Sequence, residues 1–364
     1  MAYSSSLRKA VGDLRACLAA QGLTRQGARF AEHGRHDPAP DAPLVLVACS
    51  GGRDSMALAA VVHIVCGMLG LRCGAVTVDH GIAADSAAVA LGTVRRCRAL
   101  GLDPVVRRTV AVDGHSREGV EAAARQARYD ALVDAAHGLG VAVTLLAHTR
   151  DDQAETVLIG LARSGGLNAI VGMPAAFERG GVRFARPWLD MTRARTTAVC
   201  EELDLTWWDD PTNGDDVDAD AELGASYPLR SRIRHDLVPA MTRCYGHDPT
   251  ASLAAGAASA ALDADFLDAC AARLAHDVLA VEGPGRVRID AARLAGEHPA
   301  LRRRVIVDAL RRCGATMSSA HVEAIDRLAV DWHGQGPLTL PSGCTVIRQG
   351  HVIEVCKDSG HAYR

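Results

Sequence analysis

Three short stretches of the chain carry residue types that can do chemistry. The first is Ser50-Gly51-Gly52-Arg53-Asp54-Ser55, set between the apolar run Leu44 to Cys49 and an uncharged stretch, Ser55 to Leu71. Two glycines let the backbone turn tightly and come close to a ligand. Ser50, Ser55 and the free N–H groups that open the following helix offer donors to phosphate oxygens, and the helix dipole adds to their pull. An ordinary strand-to-helix turn with Ser and Asp as caps is the alternative. The buried strand, the second serine and the acid inside the loop favour a phosphate cradle.

The second stretch is His148-Thr149-Arg150-Asp151-Asp152, with Glu155 one helical turn further on. Thr149 can cap the N–H of Asp152, and acids suit a first turn, so a structural account exists. It leaves unexplained a histidine beside two carboxylates and a third acid nearby, groups able to bind cations and move protons. The third stretch, Arg230-Ser231-Arg232-Ile233-Arg234, alternates arginines. If helical they spread around about half the circumference, and if extended they face one way. Phosphate contacts and a solvated helix face are both open. Arg125 and Arg128 stand three apart and share a helix face, suited to a phosphate, although Glu121 and Arg125 can equally pair on the surface.

The elements that must position these residues follow from the apolar pattern. Short apolar runs at Leu44–Cys49, Cys73–Val78, Pro104–Val110 and Val141–Ala147 read as strands, and the stretches Ala84–Leu100, Arg117–His137 and Asp151–Arg163 read as helices. With a further strand near Arg183–Arg186 and a helix from Thr192 to Asp204, the pattern predicts an α/β fold, a doubly wound, mostly parallel sheet. His148 and the acids then fall at a strand end, where an open parallel sheet binds its ligands. Asp79 and His80 end the second strand, at the same ligand-binding edge, with a buried capping histidine as the alternative. The domain reading is an N-terminal helix and linker over 1–43, a nucleotide-binding domain over 44–222 and a mainly helical domain over 223–364. The last ends in a β-hairpin within PLTLPSGCTVIRQGHVIEV.

Composition narrows the class. A chain of 364 residues, 48% hydrophobic, is long enough for two globular domains and is neither disordered nor fibrous. Its only lysines are Lys9 and Lys357, outside any motif, which excludes a Walker P-loop and a pyridoxal Schiff base. Eleven cysteines without a C-x-x-C pair argue against a zinc ribbon and a disulfide framework and for buried, reduced thiols in the cytoplasm. The uncharged run Ser55–Leu71 is short for a membrane span and reads as a helix buried against a sheet. A net charge of −3 at first argues against a nucleic acid, but Asp209–Glu222 holds seven acids and no base. The acidity is confined to that solvated loop, which leaves Arg302, Arg303 and Arg304, with the 230–234 arginines, to meet phosphates.

S-G-G-x-D-S after a first strand resembles the PP-loop of the N-type ATP pyrophosphatases, of the adenine nucleotide alpha-hydrolase-like fold. These enzymes cleave ATP to AMP and pyrophosphate while adenylating an oxygen of their substrate. GMP, asparagine and argininosuccinate synthetases, tRNA thiolation enzymes and tRNA(Ile)-lysidine synthetase all carry such a loop. Val78-Asp79-His80-Gly81, the Glu121 to Tyr129 stretch and Ala147 to Thr156 are similar, in order and approximate spacing, to the tRNA(Ile)-lysidine synthetase family. So are Arg163-Ser164-Gly165-Gly166 with Gly172-Met173, Arg186-Pro187-Trp188-Leu189, Asp210-Pro211-Thr212-Asn213 and Arg230 to Arg234. The likeness covers roughly residues 44 to 240. Three features depart from it: Thr149 where a second histidine is common, an acidic insertion at Gly214–Gly224, and a large C-terminal domain that is absent or much shortened.

The resemblance implies that ATP adenylates the C2 oxygen of the wobble cytidine in the CAU-anticodon isoleucine tRNA, and that L-lysine displaces AMP to give lysidine. It implies ATP bound by Ser50, Gly51, Gly52, Arg53, Asp54 and Ser55 with Asp79 and His80, and Mg²⁺ at Asp54, whose other role is helix capping. Asp54, His148, Asp152 and Arg125 are the implied catalytic residues, with His148 in the adenylation step. Asp151, Asp152 and Glu155 are implied for lysine, and Arg230, Arg232 and Arg234 for tRNA. No membrane partner is expected, and a homodimer stays open. A base thiolase is the nearest rival, but it needs paired cysteines or an iron–sulfur site. A nucleotide-binding protein without turnover would need neither His148 nor the paired aspartates.

Overall fold

The structure is a computed structural model that describes residues 3–32, 36–81, 85–111, 120–218, 221–341 and 343–357. The expected helix starts at Ala84 and Arg117, the side chain of Glu121, Asp220 of the acidic stretch and Ser342 of the hairpin turn lie outside the described residues. The chain divides into two compact units, Met1–Ser259 and Ala260–Arg364.

The first unit is built on a six-stranded sheet of order β3-β2-β1-β4-β6-β5. Its strands are β1 (Leu44–Ala48), β2 (Arg72–Asp79), β3 (Val105–Thr109), β4 (Val141–Leu145), β5 (Ala176–Arg179) and β6 (Val182–Ala185). All pairs are parallel except β5 with β6, as the doubly wound reading expects. Strand alternation divides the core. Val45 and Val47 of β1 pack with helices α1 (Ser5–Ala20) and α2 (Arg53–Leu69), α3 (Ser86–Ala99) adds Val94 and Cys97, and α6 (Arg193–Glu202) closes the layer with Val199 and Cys200. Leu46 faces the other way, onto Tyr129 and Leu132 of α4 (Val120–Leu139). The uncharged stretch is α2, buried along both sides as a helix under a sheet should be. The edge strand β5 was not foreseen. It joins β6 through Gly180 and Gly181, at φ +55° and +71°, the backbone that a two-residue hairpin turn requires.

Helix α1, read as lying outside the 44–222 domain, is part of its core, because Leu7, Leu14 and Leu18 pack in it and the Trp188 indole N–H donates to the Ala10 carbonyl at 3.2 Å. The division between units falls at Ser259/Ala260 and not at 222/223. Beyond α5 (Arg150–Arg163), the segment after the acidic stretch forms α7 (Leu229–Arg232), a π turn (Ile233–Leu237) and α8 (Val238–Tyr245). Two arginines of that segment ion-pair with Glu155 on α5, and the Ser231 hydroxyl donates to the Thr212 carbonyl at 2.8 Å, which ties it to the first unit.

The boundary lies within α9 (Thr250–Val278). The second unit is less helical than expected. Its five-stranded antiparallel sheet runs β7 (Leu279–Val281), β8 (Arg286–Asp290), β11 (Val352–Lys357), β10 (Cys344–Gln349), β9 (Leu338–Leu340), with α10 (Ala291–Ala295), α11 (Pro299–Arg312) and α12 (Ser319–Val330). The foreseen hairpin corresponds to β9–β10, and the same stretch adds β11 as a third antiparallel strand, while β7 and β8 were not foreseen. Arg302 is no phosphate ligand here. Its guanidinium is buried on Asp326, with N–O distances of 2.7 and 3.2 Å, and Arg304 bonds Asp268 at 2.7 Å. Asp326→Ala leaves a buried, unpaired guanidinium, so urea unfolding should show a loss of about 3–5 kcal/mol; a loss below about 1 kcal/mol would show that the pair contributes nothing.

Candidate active site

The glycine loop turns from β1 into α2, with Gly52 as the N-cap. Gly51 sits at φ +91°, where a Cβ would stand 2.1 Å from Thr93 Oγ1 on α3. Only glycine fits there. Ser55 acts inside the loop: its Oγ accepts the Gly51 N–H at 3.2 Å and donates to the Gly52 carbonyl at 2.8 Å. The expectation that Ser55 binds phosphate directly is therefore revised, because its hydroxyl holds the loop's shape. The Trp208 N–H donates to the Gly51 carbonyl at 2.9 Å, anchoring the chain that leads into the acidic stretch.

The loop forms one wall of a cavity of about 310 Å³ that also takes in His80, Arg128, His148, Asp152, Arg193 and Arg234. Val76, Val78 and Leu132 give it apolar lining beside the polar groups. Of the expected ATP ligands, Ser50, Gly52, Arg53, Asp54, Ser55 and His80 line it. The Nδ1 of His80 and the Nε of Arg53 are buried there without a hydrogen-bond partner. Asp79 does not line the cavity. It is buried and its carboxylate accepts the Gly81 N–H at 3.1 Å, the capping role. Arg125 is exposed, with its guanidinium 5.2 Å from the Tyr129 ring centroid, so the structure puts Arg128 at the cavity where Arg125 was expected.

His148 follows β4, and its Nδ1 accepts from Arg186 Nε at 3.2 Å. That leaves the proton on Nε2. Burial, with Arg186 and Arg128 nearby, pushes its pKa down to about 3, so the ring is neutral at working pH. The unfolded ring titrates near its ordinary value of 6.5, so His148 adds stability that is complete above that value and lost as pH falls toward 3. Acid unfolding should steepen in that window, by up to about 1.4 kcal/mol per pH unit from this group. His148→Gln should flatten the slope; an unchanged profile would show the ring is not buried neutral.

Thr149 and Asp152 form a capping box at the start of α5, with the Thr149 N–H donating to Asp152 at 2.8 Å. The same carboxylate meets Arg193 Nη2 at 3.2 Å. Burial alone would raise the Asp152 pKa, but the Arg193 guanidinium and the Thr149 amide hold it down at about 2. Asp151 accepts the backbone N–H of Arg193 at 2.8 Å and so fixes the start of α6. Asp54 receives the Thr196 hydroxyl and stands 3.6 Å from Arg193; burial pushes its pKa up against that guanidinium. Glu155 is 2% exposed and touches Arg193 at 3.6 Å, Arg230 at 3.3 Å and Arg234 at 2.8 Å. Arg230 and Arg234, expected on tRNA phosphates, thus point into the site; Arg232 takes no part in that cluster.

Arg193 joins all these acids, yet it was missed, because a lone arginine at the start of a helix carries no spacing signal. Trp208, Asp209, Asp210, Asn213 and Asp215 also line the cavity, so the first half of the acidic stretch is a wall of the site and not simply a solvated loop.

A parallel sheet whose first glycine loop and fourth strand end share one cavity defines a nucleotide-using α/β enzyme. The description of the matching family model is "PP-loop domain", over residues 24–241, and a "TilS substrate binding domain" model matches residues 289–353. The chain is 52% identical to the tRNA(Ile)-lysidine synthase of Bifidobacterium longum (strain NCC 2705), over the whole of both chains. It is 43% identical to that of Streptomyces coelicolor, over 85% of this chain and 84% of the other. The chain belongs to the tRNA(Ile)-lysidine synthase family. In fold it is similar to the U34-tRNA thiolase NcsA from Methanococcus maripaludis, at TM-score 0.51 and 14% identity over 69% of this chain and 77% of that one.

Proposed function

We propose that the protein joins L-lysine to C2 of the wobble cytidine of the CAU-anticodon isoleucine tRNA at the cavity described above. The C2 oxygen attacks the α-phosphorus of ATP, the bond to diphosphate breaks, and an adenylated base results. The lysine side-chain amine then attacks C2, AMP leaves with the C2 oxygen, and the proton shed by nitrogen passes to solvent or to the departing phosphate. The observation that carries this reading is that the glycine loop and the cluster of Asp152, Glu155 and His148 line or adjoin one cavity, in a chain of this family.

Several roles follow from the geometry. The first-turn N–H groups of α2 and the guanidinium of Arg53 suit the leaving diphosphate. Mg²⁺ keeps few protein ligands and binds through one or two carboxylates and the phosphates. Asp54 at the cavity wall suits that arrangement, whereas no group of three metal-ligating side chains exists among the described residues to form a closed cage. When bound beside Asp54, the ion would neutralise charge on the leaving diphosphate. Neutral His148 can donate from Nε2 to an oxygen in the adenylation step and is no cation there. Asp152, at a pKa of about 2, is a poor base for an amine but a permanent anion for an ammonium group. A tRNA substrate argues for a cytoplasmic enzyme. Among the described residues no helix is long and apolar enough to cross a membrane.

The test is incorporation of labelled lysine into this tRNA with ATP and Mg²⁺, one AMP being released per lysine joined. Diphosphate release without lysine transfer would reject the reading.

A further inference from the structure

The acids read as the lysine site already hold guanidiniums. Glu155 is engaged by Arg234 at 2.8 Å and Arg230 at 3.3 Å, closer than Arg193 at 3.6 Å, and Asp152 is 3.9 Å from the same two and 3.2 Å from Arg193. With Asp54 and Arg193 the set is three carboxylates against three guanidiniums. These three pairs balance, and the Asp151 carboxylate is held separately on the Arg193 backbone N–H. A lysine ammonium entering it meets acids that are already paired, and gains only by displacing a charge-assisted bond of similar strength. Arg234 has a second prospect, because it lines the same cavity as the glycine loop and is within reach of anything bound there.

We propose that Arg234, with Arg230, plugs the lysine site in the resting protein, and that the phosphates of bound ATP draw these guanidiniums off Glu155 and Asp152 and open the site to lysine. The inference rests on the lysine reading of those acids given above. Physically it is an exchange of partners. ATP brings several negative charges into a cavity that Arg234 lines beside Arg53 and Arg128, and Arg234 on the π turn and Arg230 on α7 each meet only two of the acids, whereas Arg193 is held by Asp54, Asp151, Asp152 and Glu155 together. Each guanidinium that moves to phosphate leaves an anion for an ammonium group. Lysine therefore binds after the nucleotide, and the site stays closed to free lysine until ATP is in place. The apparent lysine affinity without nucleotide is the intrinsic one reduced by the fraction of molecules with the acids free.

Lysine binding to the whole protein is measured by calorimetry, without nucleotide and with a non-hydrolysable ATP analogue plus Mg²⁺. The wild type should bind lysine about tenfold or more tightly when the analogue is present. Arg234→Gln should bind lysine in the absence of analogue nearly as tightly as in its presence. Equal wild-type affinities in the two conditions would overturn the inference and need no variant. An Arg234→Gln protein that keeps the full wild-type ratio would overturn it as well. Glu155→Gln separates the two levels. If it loses lysine binding while the wild-type ratio is near one, the plug alone is wrong; if it binds lysine normally, the lysine reading of the acids falls first.

Discussion

Gly51→Ala should lower ATP-dependent adenylation of tRNA by at least about 100-fold, the cost of displacing reacting groups by an ångström or so. The backbone there is at φ +91°, which an L side chain rarely adopts, and the new methyl would meet Thr93 Oγ1 at 2.1 Å and Arg96 Nη2 at 3.1 Å. Thr93 is fully buried and its hydroxyl donates to the Val89 carbonyl, so it has little room to yield. The loop must move instead, and with it the Gly51 N–H on Ser55 and the Gly51 carbonyl that receives Trp208. Both walls of the cavity shift together. The measurement is tRNA-dependent exchange between ATP and labelled pyrophosphate. A variant within threefold of wild type would show that the loop does not seat the nucleotide.

Asp152→Asn should separate the two half-reactions. Asparagine keeps an oxygen for the Thr149 N–H and hydroxyl, so the cap of α5 survives, but it carries no charge for an ammonium group. Adenylated tRNA should still form, while lysine transfer falls on the order of 10²–10⁴-fold, the usual range for losing a positioned acid or base. Quenched time courses that follow AMP on tRNA and lysine on tRNA in the same sample would show it. Transfer at the wild-type rate would remove Asp152 from the lysine site.

What was legible in the sequence has a common physical origin. The strands β1, β2 and β4 are continuous apolar runs because they are buried on both faces, and the glycine loop stands out because its turn requires a glycine at 51. The capping box was readable because Thr149 and Asp152 are three apart. Contacts between distant stretches were not. Nothing in the spacing of Arg230 and Arg234 shows that they reach back to Glu155, and that pairing is also why the unit boundary falls at Ser259/Ala260 and not within the acidic stretch. Arg193 was missed for the same reason, being identified only by the four acids that converge on it. Arg125 and Arg128 share a helix, and a difference of one turn fraction decides which faces the cavity. Arg302 looks like a surface cation until Asp326, on another helix, is placed beside it.

The central claim, that one cavity adenylates a tRNA base and then hands it to lysine, is tested most directly by digesting the reacted tRNA to nucleosides and weighing them. With ATP, Mg²⁺, lysine and the CAU-anticodon isoleucine tRNA, the wobble cytidine should gain the mass of lysine less water, and the change should vanish when lysine or ATP is left out. A thiolated base, an adenylated base that never accepts lysine, or an unmodified cytidine at full ATP turnover would contradict it.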